Sequence, residues 1–88
     1  MDLKKSRDRI DRIDDQLEAL FKERMEVAAQ IAAYKKANGL PVQDSAREKE
    51  ILAAHTKDAG ELEPYMRRFF KEIMRLSKEY QKELNDGK

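Results

Sequence analysis

Residues 10–35 read IDRIDDQLEALFKERMEVAAQIAAYK. Ile10, Ile13, Leu17, Leu20, Val27, Ile31 and Tyr34 fall at alternating spacings of three and four, the stripe that one face of a long helix presents to a core. Arg24 takes one place in that stripe. A guanidinium stays charged and is costly to bury alone, so an arginine in an apolar seam calls for an anion beside it. Lys35 stands three turns further on, about 20° off the same face. Between the two cations lie Ala28 and Ala32, flanked by Ala29 and Ala33. Small side chains there leave room for a ligand.

The pattern extends outward in both directions. The first helix is expected from about Leu3 to Ala37, ending at Asn38-Gly39 with Pro41 as a further stop. At about 1.5 Å per residue it is roughly 50 Å long, well beyond the diameter of an 88-residue globule. Such a helix must pack on another chain for much of its length. Ser45-Ala46-Arg47-Glu48 has the form of a capping box and opens a shorter helix carrying Ile51, Leu52 and His55, with Asp44 an equally good cap. Asp58-Ala59-Gly60 breaks it, and Pro64 fits the first turn of a third helix running to about Leu84. The expected core face of that helix is Leu62, Tyr65 or Met66, Phe69, Ile73, Leu76, Tyr80 and Leu84. Tyr65, Phe69, Phe70 and Tyr80 are read as core, and His55 as a surface or edge-of-core residue. The asparates Asp2, Asp8, Asp11, Asp14 and Asp15 form first-turn charges and a solvated face with Arg9 and Arg12. With no strand-like alternation and no repeat, the chain reads as all-α, three helices in the order long, short, long, and as one domain over residues 1–88.

Size and composition narrow the function. A chain this short buries only roughly 60% of its unfolded surface by itself, and without cysteine it has no disulfide or thiolate-metal framework to compensate. Association is the remaining route. The 19 basic and 18 acidic residues nearly cancel, which argues against a nucleic-acid partner. No run approaches the roughly 20 apolar residues of a membrane span, and no signal-peptide core follows Met1, so a cytoplasmic location is the default expectation.

On the third helix Ser77 and Gln81 sit four apart at the edge of the buried face, where a hydroxyl and an amide could wall a pocket. Asp44, Arg47 and Glu48 open the second helix, and capping alone accounts for Asp44, Ser45 and Glu48. The chain has no activated nucleophile, no phosphate-cradling glycine loop and no metal cluster. A site of Arg, Lys, Gln, Ser and Glu binds and polarises, so an enzyme built on it acts by positioning and electrostatics on a small anion.

These residues, in this order, resemble the all-helical chorismate mutases of the AroQ class over nearly the whole chain. The resemblance rests on Arg7 before Ile10 and Asp14, on Leu17-Glu18-Ala19-Leu20 leading to Glu23-Arg24, and on Lys35. It continues through Pro41-Val42-Gln43-Asp44, Arg47-Glu48, Ser77 and Gln81. It implies rearrangement of chorismate to prephenate at the branch toward phenylalanine and tyrosine, with no cofactor or metal. Carried over, Arg7 and Arg24 would hold the two carboxylates, and Lys35 and Gln81 would donate to the ether oxygen of the breaking bond. Lys35 would also lie near a carboxylate. Glu48 would accept from the ring hydroxyl with Asp44 beside it, Ser77 would assist carboxylate binding, and Arg47 would complete a charged lid. Some relatives have glutamate where this chain has Gln81. An amide donates without a titrating proton, so activity should be flat from mildly acidic to neutral pH and fall only when Lys35 loses its charge.

Arg7 and Arg24 are 17 residues apart on one helix, about 25 Å, too far to grip one small molecule. The expectation is therefore a homodimer with shared sites, Arg7 coming from the partner chain, in agreement with the intertwined dimer of that family. Three alternatives remain: an isochorismate-pyruvate lyase of the same fold, a helical dimerisation or regulatory module without catalysis, and a mutase domain of a larger fused polypeptide. The Asp44, Arg47 and Glu48 cluster favours the mutase over the lyase.

Overall fold

The computed structural model describes residues 1–87; Lys88, the last residue of the expected domain, lies outside the described residues. Three α-helices follow one another, α1 (Leu3–Ala37), α2 (Ser45–Thr56) and α3 (Glu63–Asn85), with a 3-10 turn at Gly60–Leu62 leading into α3. Among the described residues there is no strand.

Local chemistry sets each boundary. Asp2 caps α1, its carboxylate accepting from the Lys5 amide at 3.2 Å, while Lys35 and Lys36 stand in the last turn where the helix dipole favours cations. The end is closed by Gly39 at φ +65°, a conformation that favours glycine, with the Leu40 amide donating back to the Lys35 carbonyl at 2.8 Å. The cap of α2 is Asp44, whose Oδ1 accepts from the Arg47 amide at 3.0 Å. Ser45 is the first helical residue, so the capping box expected there does not form; Glu48, its other half, turns instead to α3. Gly60, at φ +58°, reverses the chain before Pro64 enters the first turn of α3.

α1 and α2 each pack on α3. α1 and α3 finish together, where Lys36 Nζ donates to the Asn85 carbonyl at 2.9 Å. The chain buries little else: among the described residues Ala28, Ala32 and Met74 are the buried apolar ones, joined by Thr56, Ser77 and Gln81. The seam read from residues 10–34 is not covered within the chain. Ile10, Leu17, Leu20, Val27, Ile31 and Tyr34 stay exposed, and every residue from Arg7 to Glu23 is exposed. Leu62, Tyr65 and Phe69, expected in the core of α3, are likewise exposed; the buried face of α3 is the Met74, Ser77, Gln81 edge. The physical reason is that periodicity identifies an apolar face and says nothing about which chain covers it. His55 is exposed and stacks flat on Phe70, with ring centroids 4.4 Å apart.

The shape matches that account. The molecule measures 54 × 27 × 14 Å with a radius of gyration of 16.1 Å, against about 12 Å for a compact domain of this length. Its accessible surface is 7210 Å², where a folded monomer of this mass exposes about 5,400 Å². Much of the surplus is the α1 seam and an apolar groove of about 530 Å³ between Leu17, Leu20 and Phe21 of α1 and Phe69, Ile73 and Leu76 of α3. No described helix is long and apolar enough to cross a membrane.

Candidate active site

A second cavity, about 340 Å³ in volume, opens where all three helices meet. Each helix contributes one face at helical spacing. α1 supplies Arg24, Val27, Ala28, Ile31 and Lys35; α2 and its cap supply Asp44, Arg47, Glu48 and Ile51; α3 supplies Met74, Ser77, Lys78 and Gln81. Val42, in the connection before α2, closes one edge. The floor on α1 is the small side chain of Ala28, which is buried. A larger residue there would fill the space.

Of the eight residues singled out from sequence, Arg24, Lys35, Asp44, Arg47, Glu48, Ser77 and Gln81 line this cavity. Arg7 does not. It is exposed on the free N-terminal arm of α1, about 25 Å along the helix from Arg24.

The polar groups differ in what they already hold. Lys35 Nζ donates to the Val42 carbonyl at 2.9 Å, which anchors the 38–44 connection over the cavity. Arg47 extends outward to Glu50 at 3.4 Å, and Asp44 is engaged as the helix cap. Gln81 is buried and donates through Nε2 to Ser77 Oγ at 3.0 Å, leaving its Oε1 buried without a partner. Arg24, half-buried, forms no hydrogen bond or ion pair among the described residues. Four cations thus face two carboxylates around an apolar lining of Val27, Ile31, Ile51 and Met74. A small dianion with an apolar body suits that environment.

Sequence reasoning missed Lys78. Its Nζ lies 3.1 Å from Glu48 Oε2 and 3.1 Å from Gln43 Oε1. The available signal was its position three residues before Gln81 on the same helical face, but one lysine among 19 basic residues reads as solvated. Among the described residues no group of three or more His, Cys, Asp or Glu side chains is placed to hold a metal ion.

A family model described as Chorismate mutase type II matches residues 6–82, a span that contains every lining residue of the cavity and Arg7. Comparison with curated proteins gave no match, nor did comparison with solved structures.

Proposed function

The chain belongs to the chorismate mutase type II family, and we propose that it rearranges chorismate to prephenate in a cavity shared between two copies of itself. Membership supports a mutase-type, isomerase activity. The observation that carries the finer reading is the convergence of seven of the eight sequence-identified polar residues on one cavity, with a half-buried Arg24 that has no partner among the described residues at its wall.

The chemistry asked of the protein is modest. One C–O bond breaks and one C–C bond forms in a single cyclic shift of electron pairs, so no atom, proton or electron enters or leaves. Binding the folded, reactive conformer and stabilising the charge that develops on the ether oxygen suffice. Arg24 is positioned to take a carboxylate through two parallel hydrogen bonds. Lys35 and Gln81 serve as donors to the ether oxygen, where charge grows as the bond lengthens. Rotation of the Gln81 amide by a half turn lets the Ser77 hydroxyl donate to Oε1 and turns Nε2 toward the ligand, removing the unpaired buried acceptor. Glu48 accepts from the ring hydroxyl, with Asp44 and Arg47 completing that wall.

The second carboxylate needs a further cation, and Arg7 of a second copy supplies it. The uncovered seam on α1, the apolar groove beside it and the surplus of roughly 1,800 Å² of surface favour a dimer, since stable pairings bury about 800 Å² or more per partner. Incubation with chorismate, and separately with isochorismate, tests the reading: prephenate from the first supports it, whereas salicylate and pyruvate from the second alone would assign the lyase. Neither product would leave the assembly module.

A further inference from the structure

The ion pair between Lys78 and Glu48 is unlike the others in the chain. Among the described residues, every other ion pair joins neighbouring turns of a single helix, and this one alone ties two helices together. It is also the least exposed, with the two side chains 29% and 25% accessible.

Gln43 closes the arrangement into a ring. Lys78 Nζ donates to Glu48 Oε2 and to Gln43 Oε1, both at 3.1 Å, and Gln43 Nε2 donates to the same Glu48 Oε2 at 3.3 Å. Three segments are thereby held at one point: the connection before α2, the first turn of α2, and α3. Both donors fall on Oε2, so the other carboxylate oxygen of Glu48 is left to accept from a ligand. A carboxylate fixed in this way needs no reorganisation when a hydroxyl arrives.

We propose that Lys78 is a positioning residue for substrate recognition: it holds the Glu48 carboxylate oriented on the cavity wall, so that the substrate hydroxyl meets a preformed acceptor. This rests on the proposed mutase function and adds to it a residue that acts through Glu48. The hydroxyl is not at the reacting bond, so loss of the arrangement raises KM more than it lowers kcat.

The test is a double-mutant cycle on the full chain, with chorismate as substrate and thermal unfolding and oligomeric state measured alongside. Lys78→Met is expected to reduce kcat/KM by about 10- to 100-fold, mostly through KM, and Lys78→Arg to stay within about threefold of wild type. In a Glu48→Ala background the same Lys78→Met step should cost less than about twofold, because the group it positions is gone. A structural role for Lys78 predicts equal losses in both backgrounds together with a lowered melting temperature. Equal losses, or none, with an active wild type overturn the assignment of Lys78 alone. A wild type that does not turn over chorismate overturns the mutase reading and this inference together.

Discussion

Gln81 and Ser77 form a buried hydrogen bond, Nε2 to Oγ at 3.0 Å, that leaves the Gln81 carbonyl oxygen unpaired beside the cavity. A buried acceptor in that state costs about 1–3 kcal/mol, and the amide rotation described above relieves it while presenting a donor. Gln81 carries no titrating proton, so wild-type turnover is expected to be flat from mildly acidic to neutral pH. Glu72, whose carboxyl is held below its ordinary value by a hydrogen bond from Arg75, is fully exposed and outside this cavity, so its protonation does not alter that profile. Gln81→Glu should behave differently: a glutamate donates only when protonated, so the variant is active at acid pH and loses activity as pH rises through the pKa of the new carboxyl. A wild-type profile that falls steeply between mildly acidic and neutral pH would remove Gln81 from the donor role.

Arg24→Ala is expected to lower kcat/KM by about 100-fold or more, since it removes the guanidinium proposed to take a substrate carboxylate in a partly desolvated site. Arg24→Lys should recover little of that, because an ammonium cannot present the planar fork. Arg24→Leu separates catalysis from assembly: it should strengthen the apolar seam and abolish turnover. A fully active Arg24→Leu protein would remove Arg24 from the site.

The proposed shared site predicts complementation. Arg7→Ala and Arg24→Ala chains should each be inactive alone. Mixed in equal amounts and allowed to exchange, they should regain about a quarter of wild-type activity, because half the dimers are mixed and each mixed dimer has one intact site. No recovery under demonstrated exchange would place Arg7 outside the site.

The proposed dimer predicts a stability that depends on concentration. Unfolding followed by circular dichroism should show a midpoint that rises with protein concentration. Leu20→Asp, which sets a charge in the middle of the exposed stripe, should abolish the dimer by analytical ultracentrifugation. A concentration-independent midpoint would mean that the single chain is stable by itself.

Asp44→Ala removes the cap of α2 and should cost about 1 kcal/mol of stability. Ser45→Ala, at a residue that does not cap, should cost less. The reverse order would restore the capping box that the sequence offers.

Much of this was legible because local chemistry writes its own boundaries: Asn38-Gly39 ends α1, Asp44 opens α2 and Pro64 opens α3, each within about a residue of its expected place. Arg24, Ser77 and Gln81 were legible for a related reason, as polar side chains at helical positions where packing favours apolar ones, and Lys35 by its alignment with Arg24; Asp44, Arg47 and Glu48 were legible only through the family resemblance, since capping accounts for Asp44 and Glu48 without a ligand. What covers the stripe was not legible, since one apolar face looks the same whether the protomer or a second copy buries it. Tyr65 and Phe69 were placed in the core on that account and are exposed. Lys78 was hidden for the opposite reason. A lysine is ordinary on a helix surface, and only its approach to Glu48, thirty residues away in sequence, distinguishes it.

The alanine floor of the cavity also governs how the pocket could be redesigned. At Ala28 there is almost no side chain to trim, and glycine would gain one methyl of depth while costing about 1 kcal/mol of helix stability. Bulkier substrates must therefore be accommodated from the opposite walls, by shortening Ile51 on α2 or Met74 on α3. Replacing Ala28 with a larger residue is the simplest way to fill the cavity and so to obtain an inert protein that keeps its charged groups.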